Sequence, residues 1–313
     1  MSALILFLMM SLGTACPQEV RTGEILNVVT AGDGPAVVLL PGLSGCAYGY
    51  RQILVPLQAA GLRTVIIEPL GYGGSSRPRQ ADYSLTAQAD RIAAVLDSLQ
   101  LKDCLVVGHG LAASMALRLA YRRADLVAGI VSIEGAGAES AATPGVTGAL
   151  KLGGLVAKLG GGRILRDKYA ASLAKASGDP AWIDRRTLGR YLRNIDRDMS
   201  AFITAVKAMA AAKEPEALHA NLGRIGCPVR LMIGTAPHDG RLDESDLAPL
   251  RQELPDFREI PVSGAGHFIF EEQPQAVVTQ ITALAESIGR AATTPDTAPE
   301  GASGNEEDLA CAR

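Results

Sequence analysis

The stretch Cys104-Leu105-Val106-Val107-Gly108-His109-Gly110-Leu111-Ala112 decides the fold. It opens on a run of apolar residues, which is typical of a strand buried on both faces of a parallel sheet. The glycines that follow mark a sharp turn, and residues 111–122 then read as a helix. We therefore predict a strand, a tight turn centred on Gly110 and a helix.

Further apolar runs alternate with helical segments on both sides of this unit. Strands are predicted at residues 23–30, 36–40, 64–68, 129–133 and 229–233, with helices at 52–60 and 84–99 among the connections. Such alternation is typical of parallel strands joined by crossover helices. The predicted fold class is α/β, with a doubly wound, mostly parallel sheet.

A long insertion separates the strand near residue 134 from the strand at residue 229. Its first part is rich in Gly and Ala, and its second part carries apolar residues at helical spacing. Such a stripe predicts either a lid over an apolar pocket or helices that pack on the core. We expect residues 20–135 and 225–290 to form the core, residues 136–224 a helical cap and residues 291–313 a disordered tail.

The charge balance argues against a nucleic-acid partner. The chain has 30 basic and 33 acidic residues, a net charge of -3, and no basic block. A hydrophobic content of 48% with only 4% aromatic residues is mostly aliphatic, as expected for a buried parallel sheet under Ala-rich helices.

The first residues bear on localisation. Residues 3–10 form an apolar run that suits the core of a signal peptide, and residues 12–16 resemble a bacterial lipobox that ends on Cys16. We expect residues 1–16 to direct export, with Cys16 as a lipid anchor. No Lys or Arg precedes the apolar run, so the alternatives are a cytoplasmic chain with a misassigned start or a frayed apolar extension.

Cysteines and glycine-rich loops indicate no cofactor. The five cysteines lack metal-type C-x-x-C spacing, and export would permit a disulfide among Cys46, Cys104 and Cys227. Gly71-Tyr72-Gly73-Gly74 lacks the third glycine and the helix of a dinucleotide fingerprint. We therefore predict no metal, nucleotide or flavin site.

Several linked motifs, in order, resemble the α/β-hydrolase superfamily, in its capped branch of epoxide hydrolases, haloalkane dehalogenases, cofactor-free haloperoxidases and esterases. They are Leu39-Leu40-Pro41-Gly42-Leu43, the loop at residues 68–78, Tyr83-Ser84-Leu85-Thr86 and Gly264-Ala265-Gly266-His267-Phe268. The resemblance covers roughly residues 23–289 and implies the α/β-hydrolase fold. It also implies a small, largely apolar ligand or an ester-like substrate.

The family's G-x-S-x-G turn carries the nucleophilic serine where this chain has Gly110, and its last glycine is Ala112 here. Glycine adopts the unfavourable backbone of such a turn at no cost. We do not expect Ser114 or Cys46 to replace the serine, because Ser114 lies inside the helix and no group near Cys46 activates the thiol. His109 is an ordinary residue for its position in relatives.

The resemblance implies the other catalytic roles. His267 is the base, and Asp239, 28 residues before it, is the acid that orients the imidazole. Asp243 and Glu134 are alternative acids. The backbone N–H groups of Leu43 and Leu111 form the oxyanion hole, and they do not depend on side-chain identity.

Three functional hypotheses stay open. In the first, the chain is a non-catalytic pseudo-hydrolase that binds a small apolar ligand or a partner. In the second, it is an enzyme in which His267 and its acid act without serine, as in cofactor-free oxygenases or lyases. In the third, it is an esterase that carries an inactivating change or a sequence error at Gly110. The retained His267 favours the second and third hypotheses. Ala112 favours the first, as does the acid loop, which has Pro237 three residues after Gly234 where the family commonly has aspartate.

Overall fold

A computed structural model describes residues 13–43, 45–143, 146–148, 150 and 162–289. The predicted signal is therefore described only from residue 13 onward. The predicted tail at residues 291–313 and part of the predicted cap, residues 151–161, lie outside the described ranges.

One large sheet organises the described chain. The strands are β1 (Thr14–Ala15), β2 (Gln18–Arg21), β3 (Glu24–Leu26), β4 (Val28–Ala31), β5 (Ala36–Leu40), β6 (Arg63–Ile67), β7 (Cys104–His109), β8 (Val127–Ile133), β9 (Val229–Gly234) and β10 (Phe257–Val262). Eight of these form a sheet in the order β1-β4-β6-β5-β7-β8-β9-β10. The pairs from β6 through β10 are parallel, whereas β4 and β1 add antiparallel at one edge. The predicted doubly wound, mostly parallel sheet is confirmed.

The single strand predicted at residues 23–30 is wrong, because the chain divides at Asn27. β3 pairs with β2 in a separate hairpin, and β4 joins the large sheet. At the break, the Asn27 N–H donates to Ser75 Oγ over 2.9 Å, and the Asn27 carbonyl accepts from the N–H of Glu68. The backbone of Asn27 thus bonds to the loop after β6 instead of continuing one ladder.

Helices fill the connections. They are α1 (Arg51–Ala59), α2 (Leu85–Ser98), α3 (Leu111–Arg122), α4 (Gly162–Ala176), α5 (Arg185–Arg197), α6 (Met199–Ala211), α7 (Glu244–Glu253), α8 (Ile269–Glu272) and α9 (Pro274–Ser287). α2 begins after Ser84, whose side chain accepts a hydrogen bond from the Ala87 N–H and so satisfies one of the unpaired donors of the first turn.

The core lies on both faces of the sheet. Along β5, Val38 and Leu40 belong to one hydrophobic cluster, whereas Val37 and Leu39 belong to the other. This division follows from the alternation of side chains across a strand. All six residues of β7 are buried, which explains its unbroken apolar run.

Helices of the insertion lie over the ends of the strands that lead to the predicted site. Tyr191 of α5 donates its hydroxyl to Glu271 Oε1 over 2.8 Å. The ring of Trp182 lies 5.2 Å from the ring of Phe268, the residue after His267. On α6, Met209 packs so closely on Gly71 that a Cβ there would meet Met209 Cε at 2.6 Å. The bounds of core and cap stay a prediction.

The edge of the sheet includes part of the predicted signal. Thr14 pairs with Thr30, and the Cys16 N–H donates to the Val28 carbonyl over 2.7 Å. Within the described ranges, no helix is both long enough and apolar enough to cross a membrane.

None of the four cysteines that the structure describes is bridged, and these include Cys46, Cys104 and Cys227, among which the sequence would permit a disulfide. Cys46 and Cys104 belong to the two different hydrophobic clusters, which lie on opposite faces of the sheet. Buried among apolar side chains, both act as small hydrophobic residues.

Candidate functional site

Gly110 forms the turn between β7 and α3. Its φ of +53° and ψ of −121° lie in a region that side-chain-bearing residues rarely adopt. Its N–H donates to the Ile133 carbonyl over 2.9 Å, which fixes the turn to β8. The sharp turn predicted from the sequence is present at the carboxyl end of the central strand.

The residues around this turn leave little space. A Cβ on Gly108 would lie 2.8 Å from the backbone of Ala113, and one on Gly135 would overlap the Gly110 carbonyl oxygen. Ala112 is fully buried in the core, so its methyl group fills space there. Ser114 is also buried, and within the described part of the chain its hydroxyl has no hydrogen-bond partner. Ser114 therefore packs in the helix and does not face the turn as a nucleophile would.

His267 lies in the loop that follows β10. The backbone holds it from two sides, because its N–H donates to the Ala176 carbonyl over 2.8 Å and its carbonyl accepts from His109 Nε2 over 3.0 Å. Its side chain is 23% exposed. A Cβ on Gly110 would lie 3.5 Å from His267 Nε2, which is an ordinary van der Waals contact. The imidazole therefore faces the position that glycine leaves without a side chain.

Glu134, and not Asp239, is the carboxylate beside His267. Its Oε2 lies 3.8 Å from His267 Nδ1, and its side chain is fully buried. Its Oε1 accepts the Gly234 N–H over 2.5 Å, which anchors the carboxylate at the end of β9. Glu134 has a φ of +50°, an uncommon conformation for a residue with a side chain. Such backbone outliers cluster at functional sites.

Asp239, the acid that the sequence favoured, therefore does not lie beside His267. Asp239 is exposed, and its N–H donates to the Lys175 carbonyl. Asp243 is exposed as well and caps α7, where it accepts from the Ser245 and Asp246 N–H groups. The loop after β9 turns so that the residue before Asp239, His238, occupies the buried side.

His238 is the residue that sequence reasoning missed. Its side chain is fully buried, and its Nε2 lies 3.2 Å from Glu134 Oε2. Its Nδ1 lies 2.8 Å from the Ala236 carbonyl, which can only accept, so the proton is on Nδ1. The signal in the sequence is its position, because His238 follows β9 at the loop where the family is expected to carry its acid.

His109 holds the loop of His267. Since the His267 carbonyl only accepts, His109 Nε2 donates the hydrogen bond. Burial, and then the nearby His267, lower the pKa of His109 well below 6.5, so this imidazole is neutral. A Cβ on Gly42 would lie 2.6 Å from His109 Nδ1. The ring thus fits only because residue 42 is glycine.

The two predicted oxyanion donors lie at the same end of the sheet. Leu111 is the first residue of α3, so its N–H has no partner within that helix, and the positive end of the helix is located there. Leu43 follows β5 and is half-buried, and both leucines pack against the same hydrophobic cluster. Leu43 also lines a small pocket together with Cys46, His109 and Phe270.

Comparison with known proteins identifies the family of this chain. Residues 37–280 match the model of the alpha/beta hydrolase family. Epoxide hydrolase B of Mycobacterium tuberculosis is 39% identical over 101 residues, which are 32% of this chain and 28% of that protein. Epoxide hydrolase A of the same organism is 25% identical over 304 residues, which are 83% of this chain and 93% of that protein. This chain therefore matches less than a third of the first relative and nearly all of the second.

A solved structure shows the same fold. Cfl2 of Burkholderia cenocepacia superposes with a TM-score of 0.70 at 21% identity, over 85% of this chain and 94% of that protein. The family match spans most of the described residues, from β5 to α9. This chain belongs to the alpha/beta hydrolase family.

Proposed function

We propose that the protein is an enzyme in which His267 acts as a general base without a side-chain nucleophile. The observation that carries the proposal is the position of His267 Nε2, which lies 3.5 Å from where a Cβ on Gly110 would be. A water molecule or a substrate atom over Gly110 would therefore come within reach of an imidazole nitrogen. General bases act over about 2.6–3.2 Å, so the reacting oxygen would lie slightly closer to Nε2 than this Cβ position does.

Glu134 supports this role through charge and position. A buried carboxylate behind Nδ1 holds the proton of the imidazole on that nitrogen and leaves the Nε2 lone pair free to accept a proton. The Nδ1–Oε2 distance of 3.8 Å is longer than a hydrogen bond. Such distances often shorten when a substrate binds, so we expect the contact to tighten as Nε2 takes up a proton.

Hydrolysis of an ester would proceed in two steps. A water molecule over Gly110 gives a proton to His267 Nε2 while its oxygen bonds to the carbonyl carbon, and the carbonyl electron pair moves onto oxygen. The N–H groups of Leu43 and Leu111 stabilise that oxyanion. When the oxyanion collapses, the bond to the alkoxide breaks, and the alkoxide takes the proton from His267.

The surroundings and the relatives suggest which substrates to test. The ring of Phe268 lies 5.3 Å from that of His267, the ring of Trp182 lies beside Phe268, and Leu43 and Phe270 line the adjacent pocket. These apolar groups favour a small, largely apolar substrate. Since two relatives are named epoxide hydrolases, small epoxides belong in the test beside short-chain esters.

The test compares the wild-type chain with His267→Asn on short-chain p-nitrophenyl esters and small aryl epoxides. General-base catalysis typically contributes about 10²–10⁴-fold, and we expect a loss in this range. His219→Asn is the matched control, because this histidine also lies beside a carboxylate, Glu139, but its side chain is 40% exposed. Equal rates for wild type and His267→Asn, or no turnover by a folded wild type, would replace this proposal with a ligand-binding role.

For localisation, export with a lipid on Cys16 stays our proposal. It rests on the apolar run before Cys16 and on the exposure of that residue. Mass spectrometry of the mature chain from a bacterial host tests it. A lipid on Cys16 supports the proposal, and an intact N-terminus recovered from the cytoplasm contradicts it.

A further inference from the structure

Three side chains that can ligate a metal meet behind His267. Glu134 Oε2 lies 3.2 Å from His238 Nε2 and 3.8 Å from His267 Nδ1, and the three atoms lie within 4.8 Å of one another. They come from the ends of β8, β9 and β10, so three neighbouring strands deliver them to one point. Among the residues that the structure describes, this is the one such group of three or more.

His238 and Glu134 each make a hydrogen bond through the atom that faces away from the other two groups. The remaining atom of each then presents its lone pair to the space between the three groups. His238 Nδ1 donates its proton to the Ala236 carbonyl, and in the neutral imidazole this leaves the lone pair on Nε2. Glu134 Oε1 accepts the Gly234 N–H, which leaves Oε2. A metal-binding histidine almost always donates its second N–H in this way, often to a backbone carbonyl.

His267 completes the group with a buried atom that has no hydrogen-bond partner among the described residues. This atom is Nδ1, and it faces Glu134 Oε2 at a distance too long for a hydrogen bond. Buried polar atoms are nearly always satisfied, so one without a partner calls for an explanation. Beside it, the 3.2 Å contact between His238 Nε2 and Glu134 Oε2 joins two acceptors when the single proton of a neutral His238 goes to the Ala236 carbonyl. A cation between the three atoms would satisfy all of them.

The spacing suits a small divalent metal. Zinc binds histidine nitrogen and carboxylate oxygen at about 2.0–2.2 Å, and tetrahedral angles then place two ligand atoms about 3.3–3.4 Å apart. The distances from Glu134 Oε2 to His238 Nε2, 3.2 Å, and to His267 Nδ1, 3.8 Å, lie on either side of this value. The two histidine nitrogens, which lie within 4.8 Å of each other, would have to approach to about 3.3–3.4 Å. Two imidazoles with one carboxylate suit zinc or cobalt better than magnesium or calcium, which prefer oxygen ligands only.

We propose that Glu134, His238 and His267 bind one divalent transition metal of the zinc class, with His267 as a ligand through Nδ1. If His267 is the general base, as proposed above, metal binding also affects catalysis. An imidazole that binds metal through Nδ1 carries its proton on Nε2, so it donates a hydrogen bond toward Gly110 and cannot take a proton there. Metal binding and general-base activity therefore exclude each other, and the metal is an inhibitor.

Cobalt(II) alone is the probe, because its visible absorption reports the ligand set. The full chain is treated with a chelator, dialysed and titrated with Co²⁺, followed by absorption and calorimetry. We expect one site per chain and no thiolate-to-cobalt charge-transfer band. Since the loss of an outer-shell partner alone costs about 10–100-fold in affinity, loss of a ligand in His238→Asn should weaken binding at least about tenfold. Glu134→Gln should do the same.

His219→Asn is again the matched control and should bind Co²⁺ as wild type does, because His219 Nδ1 faces only Glu139 Oε1 at 3.3 Å. Circular dichroism and thermal melting of each variant exclude loss of folding as the cause, and His238→Asn supplies the answer if Glu134→Gln fails to fold. The absence of saturable binding would overturn the site. Equal affinities of wild type and His238→Asn, or a thiolate band from the exposed Cys16, would overturn it as well.

The two proposals fail separately. If Co²⁺ binds as expected and the rate of the metal-free chain does not depend on His267, the metal site stands and the catalytic proposal fails. If no metal binds and His267→Asn abolishes turnover, the catalytic proposal stands alone. Where both hold, turnover of the wild type should fall in proportion to the fraction of chains that carry metal.

Discussion

His267 Nε2 lies 3.5 Å from the point at which a side chain on Gly110 would begin. The distance is an ordinary contact, so the imidazole leaves enough space for a side chain at this turn. The steric cost of a side chain therefore comes from the backbone of residue 110 and not from crowding. A side chain at residue 110 therefore affects stability through the backbone and catalysis through its contact with His267. The free energy of unfolding measures the first effect, and the rate of turnover measures the second.

Gly110→Ala should destabilise the protein by about 1–3 kcal/mol, because alanine is strained at a φ of +53°. Chemical denaturation at equilibrium measures this change. Gly189→Ala is the control, since Gly189 lies inside α5 without a positive φ, and the space that a Cβ would occupy there is open. It should be stabilising by up to about 1 kcal/mol. Equal effects at the two positions would contradict the strain at Gly110.

Glu134 should support catalysis, and Asp239 should not. In whichever background turns over, wild type or Gly110→Ser, Glu134→Gln should lower kcat by about 10²–10⁴-fold, because the imidazole loses the buried charge behind it. Asp239→Asn removes a charge that lies exposed and should leave kcat unchanged. Steady-state kinetics of both variants test the assignment. A large loss in Asp239→Asn with full activity in Glu134→Gln would restore the acid expected from the sequence.

The stability of the protein should fall in acid partly through His109. Burial holds the pKa of His109 well below 6.5 in the folded protein, whereas the unfolded chain takes up the proton near pH 6.5. The stabilising effect is therefore complete above pH 6.5 and is lost as the pH falls toward the lower folded pKa. One such group contributes a slope of at most about 1.4 kcal/mol per pH unit.

His109→Gln tests this expectation, because the glutamine amide can still donate to the His267 carbonyl. Unfolding free energies measured between pH 5.5 and 7.5 should fall less steeply with acid in the variant than in the wild type. His219→Gln replaces a histidine whose side chain is 40% exposed and controls for the loss of one imidazole as such. Parallel pH profiles for wild type and His109→Gln would contradict a neutral, buried His109.

Tyr191 should hold α5 in place over the site. Its hydroxyl donates to Glu271 Oε1, and the same oxygen accepts from Arg51. Tyr191→Phe removes one donor from a buried carboxylate, for which we expect a cost of about 1–3 kcal/mol. Hydrogen exchange should accelerate in α5 and stay unchanged in β7. Tyr121→Phe, which removes a hydroxyl bonded to Glu216 instead, should leave exchange in α5 unchanged.

The sequence predicts the sheet better than it predicts the acid, for a physical reason. Apolar runs such as the one at residues 36–40 define buried strands locally, and β5 has these same bounds. The acid depends on the path of the loop after β9, where one residue more or less exchanges His238 for Asp239 on the buried side. No local pattern encodes that path.

The cluster at Glu134, His238 and His267 is beyond sequence reasoning for a related reason. Its members lie 104 and 29 residues apart along the chain and share no spacing that a motif would show. Only the order of β8, β9 and β10 in the sheet brings their ends together. The hydrogen bonds that orient His238 and Glu134 then depend on the backbone of Ala236 and Gly234, which carry no side-chain signal.

The most direct test of the account is hydrolysis of a short-chain p-nitrophenyl ester by Gly110→Ser, beside Gly110→Ala as a variant with the same backbone strain and no hydroxyl. We predict that the serine variant turns over at least about 100-fold faster than the alanine variant, is labelled by a fluorophosphonate and loses both properties when His267→Asn is added. A folded Gly110→Ser chain that neither turns over nor takes up the label would contradict the claim that His267, Glu134 and the backbone donors form a working catalytic unit around Gly110.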